Sequence, residues 1–255
     1  MGSGASHESA TAAVAAGVSE ADIAAHLASL DKKPVTIYYS PVSINSMGAA
    51  MVANACGCGV LKLVDLAGEQ KSEAYLAVNP YAQVPGLVDA SNGLKLGESH
   101  AIIRYLATQY RPSLYPGNPA QRARIDMCME NFTSYVFQAH YKNGVNCVLY
   151  ELLGMDPTIA PYPADQPAAN AAFVEALEKW AGLYLTETFV CGDALTIADY
   201  RAVGLLFTIL QPKIKEKTGF VPPERIAAYV AAVLDADPAA KALLTGPGST
   251  AEFFA

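Results

Sequence analysis

The sequence has few charged residues and no long uncharged apolar run. Charged residues make up 16% and hydrophobic residues 52% of the 255 positions, a balance typical of a compact globular protein and not of a disordered chain. The formal net charge of −7 disfavours an electrostatic grip on nucleic acid or anionic lipid. The run that comes closest to a membrane span, residues 49–61, is too short and contains Asn54. We therefore expect no membrane span and no nucleic-acid partner.

Cysteine is also sparse, and its spacing suits neither a metal nor a disulfide framework. The five cysteines form no Cys-x-x-Cys pair and no Cys/His spacing typical of a zinc site. An odd number of scattered cysteines is typical of reduced thiols in a reducing compartment. The sequence therefore predicts a cytoplasmic protein without a metal. The cysteines are Cys56, Cys58, Cys128, Cys147 and Cys191.

Residues 1–33 form an N-terminal extension rich in alanine and serine. Ser19, followed by acidic and then apolar residues at helical spacing, predicts one short capped helix. The first residues, MGSGAS, match the pattern for an N-terminal myristoyl anchor at Gly2. The other interpretation is a loose tail. We favour it because no polybasic patch supplies the second signal that stable membrane anchoring needs.

Residues 34–110 alternate between strand and helix signals. β-Branched and aromatic residues predict the strands, and apolar residues three or four apart predict the helices. The order is β-α-β-α-β-β-α, with a first helix that ends at Gly57, a hairpin turn at 91–93 and a last helix that Ser99 caps. This order predicts a small α/β sandwich. Its strands lie at 35–39, 60–66, 84–90 and 93–98, and its helices at 45–57, 72–80 and 99–110.

A Pro/Gly-rich linker, residues 111–118, separates this part from an all-helical part, residues 119–255. Residues 120–142 predict one long helix. Thr196 and Asp199 have the spacing of a capping box at the start of another helix. We therefore predict two domains, the first α/β and the second all-α.

The junction between the first strand and the first helix contains several polar residues in SPVSINS. Ser43, Asn45 and Ser46 surround the predicted start of the helix. Each of them is able to cap a helix, and a hydroxyl at that point is also able to donate to a ligand. Ser40 lies on the strand side of Pro41 and is less well aimed than Ser43.

Four motifs in order carry a resemblance to a known family. They are SPVSIN, GEQK, NPYAQVP and ESHAI, followed by LYP and by GDALTIADY in the helical part. Together they resemble a cytosolic glutathione transferase of the serine type, and the pattern is similar to that of the phi class and its theta-like relatives. The resemblance runs from about residue 34 to the C-terminus. It implies a thioredoxin-like α/β N-terminal domain, an all-α C-terminal domain and a homodimer.

The resemblance implies a catalytic role for Ser43. In the family, the serine of a Pro-x-Ser-like segment donates a hydrogen bond to the sulfur of glutathione. A free thiol titrates at about 8.5, so little thiolate exists at neutral pH without such help. On this interpretation Ser43 serves chemistry, and Asn45 or Ser46 caps the helix. No cysteine lies between residues 40 and 47, which argues against the relatives that transfer through their own thiol.

The resemblance also implies the residues that hold glutathione, the co-substrate. A cis Pro85 lets the Val84 backbone pair with the cysteinyl part of glutathione, in strand-like fashion. Ser99 holds the γ-glutamyl carboxylate at a helix N-terminus, and Glu98 accepts from the ammonium group. Lys71 reaches the glycyl carboxylate. The implied glutathione-binding residues are Gln70, Lys71, Gln83, Val84, Pro85, Glu98 and Ser99.

The expected reaction is attack of the glutathione thiolate on a small, hydrophobic electrophile, as in detoxification. The helical domain is expected to line the acceptor site, with Phe132, Tyr135, Phe137 and Tyr141 as candidates.

Three departures from the family pattern, one of which is the N-terminal extension of residues 1–33, leave a second interpretation open. His100 stands where the family usually has arginine, and Gln70 replaces the usual histidine. A non-catalytic binding or assembly module with this fold would carry such changes. The same site would also support a glutathione-dependent peroxidase, isomerase or lyase, because those activities differ in the acceptor pocket.

Overall fold

The computed structural model describes residues 9–156, 158–159 and 161–255, so the pattern at Gly2 lies outside the described residues. The N-terminal extension contains α1 (Ala10–Ala15) and α2 (Glu20–Ser29). Ser19 caps α2 as predicted, since its side chain accepts from the backbone N–H of Asp22.

Four strands form one mixed sheet: β1 (Val35–Tyr39), β2 (Gly59–Leu63), β3 (Gly86–Asp89) and β4 (Leu94–Leu96). The strand order is β2-β1-β3-β4, in which β1 and β2 are parallel and the other pairs antiparallel. The helices between and after them are α3 (Ile44–Cys56), α4 (Glu73–Leu76) and α5 (Ser99–Tyr110). The predicted β-α-β-α-β-β-α order is therefore confirmed.

The ends of these helices follow local rules with one exception. Gly57 ends α3 in the left-handed conformation, with φ of 64°. The prediction that Ser99 caps α5 is wrong, because Ser99 is the first helical residue and Glu98 occupies the cap position without a side-chain cap bond. The Ser99 hydroxyl is therefore not used by the cap.

The helical part contains a continuous but irregular long helix where residues 120–142 predict a regular one. It consists of α6 (Pro119–Asn131), a π-helical segment (Phe132–Phe137, the π segment) and α7 (Gln138–Asn143). Wider π turns change the direction in which the following side chains point. The remaining helices are α8 (Val145–Leu152), α9 (Gln166–Tyr184), α10 (Ile197–Ile209), α11 (Pro212–Thr218), α12 (Glu224–Ala236), α13 (Pro238–Thr245) and α14 (Thr250–Phe253).

Small residues let α3 pack closely against α10, and this contact joins the sheet to the helical part. A Cβ atom at Gly48 would lie 2.9 Å from the backbone oxygen of Tyr200, and one at Gly204 would lie 3.1 Å from that of Ile44. Both distances are shorter than or at the edge of ordinary contact, so glycine is required at Gly48 in particular. The start of α3 is thereby held against the helical part.

Every residue of α10 is buried, including its one acidic side chain. The Asp199 carboxylate accepts hydrogen bonds from the backbone N–H groups of Val190 (3.0 Å) and Thr196 (2.8 Å), and from the hydroxyl of Tyr229 (2.8 Å). The predicted capping box of Thr196 and Asp199 is confirmed. These bonds fix the loop before α10 onto the helix.

The extension is packed against the rest of the chain from α1 onward and is not a loose tail there. Thr11 donates its hydroxyl hydrogen to the Thr108 carbonyl oxygen of α5 at 2.8 Å. The Glu20 carboxylate accepts from the backbone N–H (2.6 Å) and the hydroxyl (2.7 Å) of Ser113. Among the described residues, no helix is long and apolar enough to cross a membrane.

Candidate functional site

A cavity of about 320 Å³ opens at the start of α3. Its volume lies within the range of small-molecule sites. Segments far apart in sequence meet there: the start of α3, the loop after β2, the loop before β3 and the region of α7 and α8. The lining residues are Val42, Ser43, Ile44, Asn45, Leu66, Gln70, Ala82, Gln83, Val84, Tyr141, Asn146, Leu149, Tyr150, Leu153 and Met155.

Ser43 is both the N-cap of α3 and part of the cavity wall. Its Oγ accepts from the backbone N–H of Ser46 at 3.4 Å, which uses a lone pair and leaves the hydroxyl hydrogen. Within the described part of the chain, no acceptor takes that hydrogen. The prediction that Asn45 or Ser46 caps the helix is therefore wrong, because Ser43 occupies the N-cap position. Capping uses a lone pair of the Ser43 oxygen, and the hydrogen of the same hydroxyl is still able to donate to a ligand.

Ser46 has a separate structural role. It is fully buried, with 0% exposure. Its hydroxyl donates to the Ser40 carbonyl oxygen at 2.8 Å and accepts from the Ser40 backbone N–H at 3.1 Å. Ser46 therefore closes the bend between β1 and α3 and fixes the direction in which Ser43 faces.

The Val84–Pro85 peptide bond is cis, as the sequence predicts, and Val84 lines the cavity with Gln83. Pro85 is buried beneath them. The Gln83 carbonyl oxygen accepts from the Tyr75 hydroxyl at 2.6 Å and from Asn79 Nδ2 at 2.7 Å. These two bonds hold the loop rigidly in front of β3.

Asn79 connects this loop to the start of α5. Its buried Nδ2 also lies 3.3 Å from the carbonyl oxygens of both Pro85 and Gly97. Since Gly97 immediately precedes Glu98, the cis-proline loop and the N-terminus of α5 are adjacent. Sequence reasoning missed Asn79, although its position at the head of NPYAQVP was a usable signal for a loop-bracing amide.

The other predicted glutathione-binding residues are distributed around the cavity. Gln70 lines the cavity. The Nε2 atom of Gln70 donates to the Leu66 carbonyl oxygen at 2.9 Å. The buried Oε1 atom of Gln70 has no hydrogen-bond partner within the described residues. Lys71 is exposed on a 3₁₀ turn. Glu98 is exposed and Ser99 half-buried at the start of α5. These last three do not line the 320 Å³ cavity itself.

His100 links the first turn of α5 to a buried arginine of α10. Its Nε2 accepts from Arg201 Nε at 2.8 Å, and its Nδ1 lies 3.2 Å from Glu130 Oε1. Burial lowers the pKa of His100, and the charge of Arg201 lowers it further. The ring is therefore neutral, with its proton on Nδ1, because Nε2 must accept.

The Arg201 side chain packs against two of the predicted acceptor residues. Its guanidinium lies 5.4 Å from the ring centroid of Phe132 and 5.1 Å from that of Phe137. Both rings are buried, with 1% and 6% exposure. They line none of the cavity at Ser43. Burial lowers the pKa of Arg201 to about 10, so it is still charged at neutral pH.

The two tyrosines predicted to line the acceptor site line different cavities. Tyr141 lines the cavity at Ser43. Tyr135 is 64% exposed and lines a different cavity of about 530 Å³, between the π segment and α9. The apolar wall opposite Ser43 comes instead from side chains that sequence reasoning did not identify: Leu149, Tyr150, Leu153 and Met155. No group of three or more His, Cys, Asp or Glu side chains able to hold a metal occurs in the described ranges.

Comparison with protein families gives a match to the family described as glutathione S-transferase, N-terminal domain, over residues 37–117. The chain is 33% identical over 179 residues to glutathione S-transferase 2 of Anopheles gambiae, a match that covers 67% of this chain and 78% of the relative. It is 30% identical over 175 residues to glutathione S-transferase 3 of Zea mays, covering 65% of this chain and 74% of the relative.

Solved structures give the same result. The theta class glutathione S-transferase of Xanthomonas axonopodis pv. citri, solved with glutathione bound, superposes with a TM-score of 0.65 at 26% sequence identity. The superposition covers 82% of this chain and 96% of that structure. A delta-class glutathione transferase of Nilaparvata lugens superposes with a TM-score of 0.67 at 28% identity, covering 87% of this chain and 98% of that one.

Proposed function

The chain belongs to the glutathione S-transferase family of enzymes, and we propose that it activates the thiol of reduced glutathione beside Ser43 for attack on a hydrophobic electrophile. The observation that carries this proposal is the Ser43 hydroxyl. It lines the cavity with Gln70, Gln83 and Val84 while its hydrogen is not taken by a described residue.

The energy required is within reach of this arrangement. Lowering the pKa of a thiol by about two units takes roughly 2.7 kcal/mol. A hydrogen bond to a charged sulfur contributes about 1.5–3 kcal/mol. The positive end of a helix adds roughly 0.3–1 kcal/mol, and Ser43 stands at the N-terminus of the 13-residue α3. No covalent nucleophile from the protein is needed, so catalysis consists of ionisation and proximity.

We propose that glutathione lies across the cavity in an extended conformation. The Val84 backbone beside Pro85 pairs with the cysteinyl unit, in the manner of strand addition. Support comes from the rigid Gln83 carbonyl, which two side-chain donors already hold. The buried, unpaired Oε1 of Gln70 accepts a ligand N–H, since an unmatched buried acceptor is costly. Lys71 neutralises the glycyl carboxylate.

The γ-glutamyl end of glutathione is proposed to bind at the N-terminus of α5. Ser99 is free of the helix cap, so its hydroxyl and the first backbone N–H groups of α5 bind the carboxylate. Glu98 accepts from the ammonium group. Asn79 supports this arrangement, because it holds the cis-proline loop and Gly97 together.

The electrophile is proposed to bind between Ser43 and the helical part. Tyr141, Leu149, Leu153 and Met155 present an apolar wall there, which fits a hydrophobic small molecule. The proposed domains are residues 34–110 for glutathione and 119–255 for the acceptor, joined by the linker 111–118. Family membership supports the proposal of a cytoplasmic homodimer that acts in detoxification. Light scattering of the purified protein tests whether it is a dimer.

Isothermal titration with reduced glutathione, run beside a conjugation assay with a generic electrophile, tests the proposal. Three variants separate capping from chemistry. Ser43→Ala loses the hydroxyl and about 1 kcal/mol of helix-capping free energy. Ser43→Gly also loses the hydroxyl, but it loses only about a few tenths of a kcal/mol of helix capping. Ser43→Thr keeps both. We expect turnover to fall about 10²-fold in the alanine and glycine variants alike, with binding retained and threonine active.

Two results would overturn the proposal. If the unaltered protein fails to bind glutathione at millimolar concentration, the site is not a glutathione site. If turnover falls with alanine but not with glycine, Ser43 acts only as a helix cap.

A further inference from the structure

One buried polar side chain in the wall that the helical part gives to the Ser43 cavity has no hydrogen bond. Asn146 is the second residue of α8, which Gly144, with φ of 91°, separates from α7. Its side chain lines the cavity and is only 5% exposed. Its buried Nδ2 has no hydrogen-bond partner within the described residues. Because an unmatched buried donor is costly, folding alone does not explain an asparagine at this position.

Tyr141, a neighbouring polar side chain of the same wall, does not satisfy the amide. Burial raises the pKa of Tyr141, and the Asn146 side chain acts in the opposite direction. No hydrogen bond joins the two side chains, since Nδ2 is without a partner. None of the other side chains of this wall accepts from the amide either. They are Leu149, Tyr150, Leu153 and Met155.

The cavity contains a second unpaired buried atom, and the two atoms differ in chemistry. Oε1 of Gln70 is an acceptor and lies on the α/β side, where the proposed position of glutathione offers N–H donors. Nδ2 of Asn146 is a donor and lies on the helical side, where the electrophile is proposed to bind. A donor at that position suits a ligand atom that carries or gains negative charge.

The Asn146 amide is able to turn toward a bound molecule. The terminal torsion of an asparagine side chain is broad and roughly two-fold. No described residue forms a hydrogen bond with either end of this amide, so no protein contact opposes the rotation. Attack by a thiolate transfers negative charge to the electrophile, which attracts the N–H₂ end and repels the carbonyl end.

On the basis of the proposed function, we propose that Asn146 makes the site selective for electrophiles that contain a conjugated carbonyl group. The thiolate sulfur attacks the β-carbon of an α,β-unsaturated carbonyl compound, and a C–S bond forms as the C=C π bond breaks. The electron pair moves onto the carbonyl oxygen, and Nδ2 of Asn146 donates a hydrogen bond to the enolate. The α-carbon then takes a proton from solvent, which replaces the proton that the thiol released on ionisation.

The size of the effect follows from the role of the donor. Removing one donor to a developing oxyanion lowers kcat about 10²–10³-fold where the donor is rigidly placed. The Asn146 amide has no bond that fixes it in place, so we expect a smaller loss of about 10- to 100-fold. An electrophile without a carbonyl oxygen should be nearly indifferent to the amide.

Conjugation kinetics of the full chain with two electrophiles test the proposal. Benzylideneacetone has a conjugated carbonyl, and benzyl chloride has a similar ring without one. Asn146→Leu keeps the approximate size of the side chain and removes the amide, and Asn146→Ala removes it in a second way. We expect both variants to lower kcat for benzylideneacetone about 10- to 100-fold and kcat for benzyl chloride less than about threefold.

Three controls separate a missing hydrogen bond from a disturbed wall. Leu149→Ala alters the same wall without removing a donor, so it should lower the two rates by similar factors. The free energy of unfolding of Asn146→Leu should equal or exceed that of the unaltered protein, because the substitution removes an unmatched buried donor. Isothermal titration should give the same Kd for glutathione in the Asn146 variants as in the unaltered protein.

The outcomes distinguish this inference from the proposed function. If the unaltered protein binds no glutathione or conjugates neither electrophile, the proposed function fails and the inference fails with it. If the protein conjugates benzyl chloride but not benzylideneacetone, or if the Asn146 variants lower both rates equally or leave both unchanged, the inference alone is overturned. A weaker affinity for glutathione in both variants would assign the amide to glutathione and would also overturn it.

Discussion

His140 makes the stability of the protein depend on pH. This residue of α7 is 1% exposed, and its ring packs against those of Phe137, Tyr141 and Phe173, with centroids 5.3, 5.2 and 6.3 Å away. Burial lowers the pKa of His140 to about 3. The folded protein therefore keeps the ring neutral under conditions in which the unfolded chain protonates it.

The sign and size of the effect follow from this difference. An unfolded histidine titrates at about 6.5, so between that pH and about 3 the unfolded state binds a proton that the folded state does not. Stability from His140 is fully present above about 6.5 and is lost as the pH falls. The loss is about 1.36 kcal/mol per pH unit, hence about 2 kcal/mol by pH 5 and on the order of 5 kcal/mol by pH 3.

Urea unfolding at pH 7 and pH 5 measures the effect. We compare the unaltered protein with His140→Leu, which removes the titrating group, and with His26→Gln, a change at an exposed position of α2. The unaltered protein and the His26→Gln control should lose about 2 kcal/mol more stability over this interval than His140→Leu. Carboxylates and His100 contribute equally to all three and cancel. An identical pH dependence in His140→Leu would refute the reasoning.

Three further predictions concern packing, hydrogen bonding and the acceptor wall. Asp199→Asn should lower the free energy of unfolding by about 2–4 kcal/mol, because an amide N–H₂ would face the backbone N–H and hydroxyl of Thr196, which now donate to the carboxylate. Chemical denaturation at pH 7 measures this loss, and a loss below about 0.5 kcal/mol contradicts the prediction. Gly48→Ala should destabilise by about 1–3 kcal/mol, since its Cβ would lie 2.9 Å from a backbone oxygen of α10; the control Gly182→Ala, with no atom within 4 Å, should stabilise α9 by roughly 0.5–1 kcal/mol. Tyr141→Ala should raise the KM for a hydrophobic electrophile about tenfold and leave the KM for glutathione unchanged. Equal changes in the two KM values would mean that the electrophile binds elsewhere.

Much of the fold could be predicted from the sequence because its signals are local. The cis Val84–Pro85 bond, the capping box at Asp199 and the left-handed Gly57 depend on a few neighbouring residues. The order of strands and helices along residues 34–110 was also predictable, because β-branched and aromatic residues mark the strands and apolar residues three or four apart mark the helices. Ser43 was singled out by its position after the strand, although its capping role was assigned to its neighbours.

Other features depend on contacts between distant segments, which a single sequence does not reveal. Phe132 and Phe137 were candidates for the acceptor site, but both rings are buried and pack against Arg201, which comes from a helix more than sixty residues later. Tyr135 and Tyr141 line different cavities, and which cavity each tyrosine meets depends on helices that are distant in sequence.

The titration of glutathione bound to the protein tests the central claim, that the Ser43 hydroxyl holds the sulfur as a thiolate. Ultraviolet absorbance of the thiolate is followed against pH for saturated complexes of the unaltered protein and of Ser43→Ala and Ser43→Gly. We predict that the thiol bound to the unaltered protein has a pKa about two units below its free value of about 8.5. In both variants, the pKa of the bound thiol should rise most of the way back to the free value. A bound thiol that titrates at the same pH in all three proteins would contradict the account.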